Sequence, residues 1–173
     1  MKPLTHLDAR GRPSMVDVSD KVVSHRVAKA RGFIRLQPET IRQVDAGLMA
    51  KGNVLVTAEI AGIQAAKHTA TLIPLCHPLP LTGIKVEARI EEGGVAVDSE
   101  VKCTDRTGVE MEALTAVTVA LLTVYDMCKA IDTGMVITTV ALVSKTKQAV
   151  QVAAPEAVPA GRRRPVARPG GEA

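Results

Sequence analysis

The chain has 173 residues, room for one domain with tails. Hydrophobic residues make up 46% of it, yet Phe33 and Tyr125 are the only aromatics, so the core must come from Val, Ile, Leu, Ala and Met. The net charge of +4 draws part of its excess from Arg162, Arg163, Arg164 and Arg168, which leaves the remainder near neutral and argues against a nucleic-acid-binding domain.

Cys76, Cys103 and Cys128 form no CxxC pair, which argues against a disulfide framework or a Cys-rich zinc site and favours a reducing cytoplasm. No run of about 18 uninterrupted apolar residues predicts a membrane span, and the N-terminus lacks the apolar stretch of a signal peptide. Small apolar side chains each bury little area, so an oligomer that covers more surface would add stability.

In chain order, residues 1–26 are polar and broken by Pro3, Gly11 and Pro13, the pattern of a flexible arm that orders when something binds it. Residues 27–150 read as one domain. Ala28, Ala30, Gly32, Ile34 and Leu36 alternate with polar residues and predict a strand over 28–36. Pro38 suits a first helical position, and a helix is predicted from Glu39 to Met49. Lys51-Gly52 breaks it. Residues 53–71 begin with β-branched Val54 and Val56, but Ile60, Ala61, Ile63, Ala65 and Ala66 favour a second helix. Ile84, Val86, Ala88 and Ile90 then alternate with charges. After Glu92-Gly93-Gly94, Val95, Val97, Ser99, Val101 and Cys103 alternate again, which predicts a β-hairpin with one wet face. A long helix is expected over 108–131, burying Leu114, Val117, Leu121 and Val124 and capped by Gly134. A last strand runs from Met135 to about Val143. The order β, α, α, β, β, α, β is the split βαβ pattern of an α+β, ferredoxin-like fold with helices on one face of an antiparallel sheet. Residues 151–173 are rich in Pro, Gly and Arg and are expected to be disordered.

Several groups could carry chemistry, and each has a plainer explanation. His77 lies between Pro74 and Pro78 in a stiff loop, which either pre-organises a side chain or only connects helix to strand. Cys76 is its neighbour, but adjacent side chains in an extended loop point apart, which disfavours a Cys–His pair. Lys67 sits in an apolar helix and either snorkels to water or has a lowered pKa. Lys51, before Gly52-Asn53 at a helix start, suits a phosphate site. Glu110 and Glu112 fall in the first turn of the long helix, where carboxylates are favourable in any case. Asp126 and Lys129, three apart, form either a surface ion pair or a proton-transfer pair. Glu112 and Asp126 are 14 residues apart on one helix face, roughly 21 Å, too far to serve the same reacting atoms within one subunit.

Three ordered strings stand out: Ile73-Pro74-Leu75-Cys76-His77-Pro78, Thr107 to Leu114 (TGVEMEAL), and Tyr125-Asp126-Met127-Cys128-Lys129-Ala130. Leu4-Thr5-His6, Met15 to Ser19, Lys51-Gly52 and Ala61 to Lys67 extend them. Together they resemble the molybdenum cofactor biosynthesis protein C family, the cyclic pyranopterin monophosphate synthases, from about residue 4 to about residue 145. The resemblance implies a ferredoxin-like lyase that converts 3′,8-cyclo-7,8-dihydroguanosine 5′-triphosphate to cyclic pyranopterin monophosphate and pyrophosphate. It implies a hexamer built as a trimer of dimers with active sites at the dimer interfaces. It assigns Asp126, Lys129 and Lys67 as catalytic, and Leu75, Cys76, His77, Met111 and Glu112 as substrate-binding. Lys51 and Arg26 become phosphate contacts, and Asp17 and Lys21 part of an arm that orders over substrate. No resident cofactor or metal is expected; any Mg²⁺ would enter with the substrate triphosphate. Arg106 stands where many relatives carry Lys. The rival readings are an RNA-binding module, for which stacking aromatics are lacking, a metal-dependent hydrolase using His77, Cys76, Glu110 and Glu112, and a structural subunit without catalysis.

Overall fold

The computed structural model describes residues 10–150; the Leu4-Thr5-His6 string and the segment 151–173 lie outside them. The elements are β1 (Ser24–Arg35), α1 (Pro38–Asp45), α2 (Val54–Lys67), α3 (Thr69–Leu72), β2 (Leu81–Glu91), β3 (Gly94–Asp105), α4 (Glu110–Cys128) and β4 (Val136–Ala149). The strands form one antiparallel sheet in the order β2-β3-β1-β4. Two split βαβ units interleave to give this order, so the ferredoxin-like expectation holds.

Alternation decides which way each strand faces. Ala28, Ala30 and Ile34 of β1 and Val95, Val97, Val101 and Cys103 of β3 are buried beneath α4, while α2 covers β2. The opposite face carries Lys29–Glu100, Lys102–Glu100, Arg31–Glu91 and Arg89–Asp98 ion pairs between and along strands. This is the wet face that the hairpin pattern predicts. Gly93 turns the hairpin with φ near +80°, a conformation that side chains resist. Gly32 has a different job: a Cβ there would lie 2.6 Å from Val117 and 2.8 Å from the Thr139 carbonyl, so glycine lets α4 settle directly onto β1.

α4 has 19 residues and a mean hydropathy of 1.4, long and apolar enough to cross a membrane by those measures alone. Here it is the core helix, with Val117, Ala120, Leu121 and Val124 inaccessible to solvent. α2 packs along it, and Gly62 lies where a Cβ would come within 2.9 Å of the Ala116 carbonyl.

Five predicted boundaries are corrected. β1 starts at Ser24, inside the predicted arm and four residues before the predicted Ala28, because it pairs with β3 and β4 from there. α1 ends at Asp45 rather than Met49, because the Ala46 and Gly47 amides turn back onto Arg42 and Val44. The helix expected over 53–71 ends at Lys67; the His68 amide is shared between the Gln64 and Ala65 carbonyls, and the separate α3 follows. α4 ends at Cys128, not Ile131, and Gly134 is not its cap: the Ile131 and Asp132 amides both close onto the Cys128 carbonyl. The buried Asp132 then accepts from the Gly134 and Gln37 amides at 2.9 and 2.7 Å, which ties this loop to the start of α1. β4 runs to Ala149, six residues beyond the predicted Val143, because it pairs with β1 along its whole length.

Candidate active site

The first and second strings converge. After α3 the Cys76 amide bonds the Ile73 carbonyl at 3.0 Å, which closes a tight turn over Ile73–Cys76 just before His77. Leu75, Cys76 and His77 then face Met111 and Glu112 in the first turn of α4 across a cleft of about 400 Å³. Cys76 and His77 both line this cleft. Burial, with the nearby Glu112 charge, pushes the Cys76 thiol up, which keeps it protonated and a poor nucleophile.

Glu112 is only 4% exposed, unlike a carboxylate that merely decorates a helix start. Burial pushes its carboxyl up, and neighbouring Glu110 adds to this against the helix amide that bonds it. Glu112 also borders a smaller cavity of about 160 Å³ that Lys67 lines from the last residue of α2. Lys67 is exposed, as the snorkelling alternative has it. Glu110 behaves differently: burial raises its carboxyl, but the Lys145 ammonium at 2.9 Å outweighs this and leaves it below the usual range.

Arg26 is next door. From β1 it lines a cavity of about 260 Å³ with Glu110, Lys145 and Lys147 beside the start of α4. Its Nη2 donates to the Arg106 carbonyl at 3.0 Å, while its Nε is buried without a partner among the described residues. The Lys145 and Lys147 cations were missed by the sequence reading, which ended β4 at Val143. Pairing with β1, whose register shifts between Lys29 and Ala30, is what brings them to the Arg26 side: Lys147 pairs with Arg26 and Lys145 with Ala28. The arm contributes too: Val16, Val18 and Lys21 close one side of the main cleft.

The third string lies at the other end of the same helices. Lys51 Nζ donates to Asp126 Oδ2 at 2.7 Å and to the Asp126 carbonyl at 2.9 Å, and Lys129 Nζ donates to Asp126 Oδ1 at 2.7 Å. Hydrogen bonds from Lys129 and Lys51 hold the Asp126 carboxyl down at about 2, and the same contact raises Lys129. Lys51 is set there by the start of α2, where Gly52 turns with φ near +91° and Asn53 Oδ1 caps the Val56 amide at 3.0 Å. The ten site residues thus form two groups. Lys67, Leu75, Cys76, His77, Met111 and Glu112, with Arg26 adjoining, sit at one end of the α2/α4 pair; Lys51, Asp126 and Lys129 sit at the other. Among the described residues, no three His, Cys, Asp or Glu side chains form a group that could hold a metal ion.

Residues 15–148 match the family model described as the MoaC family. The chain belongs to the MoaC family. Relatives agree with this along most of their length. The cyclic pyranopterin monophosphate synthase of Thermomicrobium roseum is 57% identical over 147 residues, 84% of this chain and 89% of the relative. Those of Desulfitobacterium hafniense and Herpetosiphon aurantiacus are 54% and 56% identical, over 83% of this chain and 88% of each relative. Membership in MoaC makes the chain an enzyme of molybdenum cofactor biosynthesis.

Proposed function

We propose that this chain converts 3′,8-cyclo-7,8-dihydroguanosine 5′-triphosphate to cyclic pyranopterin monophosphate with release of pyrophosphate, at sites that two subunits complete together. One observation carries the shared site: α2 and α4 run antiparallel, and each end of the pair holds a different part of the chemistry. Glu112 and Asp126 lie on one unbroken helix, 14 residues and so roughly 21 Å apart. A twofold pairing brings the Glu112 end of one copy to the Asp126 end of another and makes two whole sites per dimer. A hexamer of three such dimers is the assembly that the resemblance implies.

The roles follow from charge and geometry. Ring opening and rebuilding need several proton transfers, which fall to Lys129, Asp126 and Lys67. Asp126 holds Lys129 protonated in the free state. The departing pyrophosphate needs cations, and Lys51, Arg26 and His77 are suited to it. Glu112 accepts the paired N–H groups of the guanine-derived ring, a match for a carboxylate's two oxygens. Leu75, Cys76 and Met111 form the apolar wall. The reading needs no resident metal; any Mg²⁺ would come with the substrate's phosphates. Three unpaired cysteines, two of them buried, suit a reducing cytoplasm.

The test is to mix purified protein with the cyclised nucleotide and measure pyrophosphate and the cyclic phosphate product. The wild-type chain should release both, and Lys67→Ala or Asp126→Ala should lose at least about a hundredfold in kcat. No pyrophosphate from the wild type overturns the reaction; full activity in both variants overturns the roles.

A further inference from the structure

Arg106, in the connection between β3 and α4, has no part in the chemistry above, yet three segments meet on it. Its Nη1 donates to the Ser19 carbonyl at 2.6 Å, its own carbonyl accepts from Arg26 Nη2 at 3.0 Å, and its amide donates to Asp105 Oδ1 at 2.6 Å. Ser19 is presented by two small turns. Its amide bonds Asp17 Oδ1 at 2.8 Å, and the Lys21 amide bonds the Val18 carbonyl at 3.0 Å. These turns set Val16, Val18 and Lys21 along the cleft. The Asp17 carboxyl is lowered by its bonds with Ser19 and, further off, by Arg106 and His77, so the turn also favours this cationic rim. The acceptor is a main-chain carbonyl, which any residue at position 19 supplies. The donor is specific: a guanidinium projects several N–H groups in a fixed plane and reaches one while the backbone behind it stays fastened to Arg26.

We propose that Arg106 is a positioning residue: it latches the Asp17–Lys21 turn against the β3–α4 connection and thereby sets how tightly the cleft holds substrate, without taking part in the chemistry. This rests on the reading of the cleft as the substrate pocket. The latch joins the arm to the loop that also aims Arg26, so releasing it loosens one wall of the cleft and leaves Asp126, Lys129 and Lys51 untouched at the far end of α4.

The experiment uses full-length variants: Arg106→Ala, Arg106→Lys, the arm double variant V16S/V18S, and that variant combined with R106A. Steady-state pyrophosphate release gives kcat and KM, and brief trypsin treatment read by mass spectrometry gives the rate of cleavage after Lys21. Arg106→Ala should raise KM about tenfold, the factor that ~1.4 kcal/mol represents, hold kcat within about twofold, and speed cleavage after Lys21. Arg106→Lys should recover part of the KM, because one ammonium can still reach a carbonyl. In the V16S/V18S background, Arg106→Ala should add less than about twofold, since both changes act through the same segment. The proposal is overturned by a fall in kcat as large as the rise in KM, by unchanged cleavage after Lys21, or by KM effects that multiply in the combined variant. Faster cleavage with no kinetic change also overturns it, by separating the arm from substrate affinity. Failure of the underlying reaction is distinct, because then the wild-type chain itself releases no pyrophosphate.

Discussion

Two inactive variants should restore each other when mixed. Asp126→Asn disables the Lys51/Asp126/Lys129 end of each subunit, and Glu112→Gln disables the cleft end. Suppose each site takes one end from either subunit of a twofold dimer. In a mixed dimer, one site then carries both substitutions and the other carries neither. Random reassortment of equal amounts makes about half of all dimers mixed. Half the sites in those are intact, so activity should return to about one quarter of wild type, while each variant alone stays at least about a hundredfold down. Co-expression with two affinity tags, or exchange under mild denaturant followed by pyrophosphate assay, supplies the mixture. The quarter follows from the helix itself: the roughly 21 Å between Glu112 and Asp126 forbids one subunit from completing a site. Activity in the mixture no greater than the sum of the two variants would refute the reasoning. So would a fully active monomer in sedimentation.

Glu112→Gln should also stabilise the fold near neutral pH while it lowers activity. Burial raises the Glu112 carboxyl, so its protonated form fits the fold better. That contribution is complete below the ordinary carboxylate value of about 4.3 and is lost as pH rises through the raised one; a Tm difference that fails to close in acid would contradict this. Asp126 runs the other way: with its carboxyl held at about 2, any loss of activity between about pH 4 and 6 should not report its protonation, and the kcat/KM profile tests this. Gly32→Ala should cost about 1–3 kcal/mol in urea unfolding, because its new methyl overlaps Val117, Leu121 and the Thr139 carbonyl. Asn53→Ala should cost about 1 kcal/mol by removing the cap on the Val56 amide, measured the same way.

The sheet was legible because its strands alternate: Ala28 to Ile34 in β1 and Val97 to Cys103 in β3 bury every second residue, although Ala96 is buried as well at the hairpin end, and the period predicts the strands. Helix ends were less so. α4 stops at Cys128 through main-chain contacts and the buried Asp132, neither of which has a local signature as strong as Gly134 promised. β4 was cut short because Ser144 to Ala149 is polar; its pairing with β1 extends the strand where its own composition does not. At the site, the ordered strings gave the residues and helix arithmetic divided them between two ends. The depth of Glu112, the Lys145 and Lys147 cations beside Arg26, and the Arg106 contact with the arm all depend on packing between distant segments. No residue count along the chain could have supplied them.

The scarcity of aromatics has an optical consequence. Tyr125 is the chain's single tyrosine, there is no tryptophan, and it stands beside Asp126 at the end of α4, 38% exposed. Almost all the intrinsic ultraviolet emission of this protein therefore originates one residue from the carboxylate that Lys51 and Lys129 clasp. The molecule carries its own local lamp. Substrate arrival or subunit exchange at that end of α4 can be watched in unlabelled protein, with no tryptophan emission to subtract.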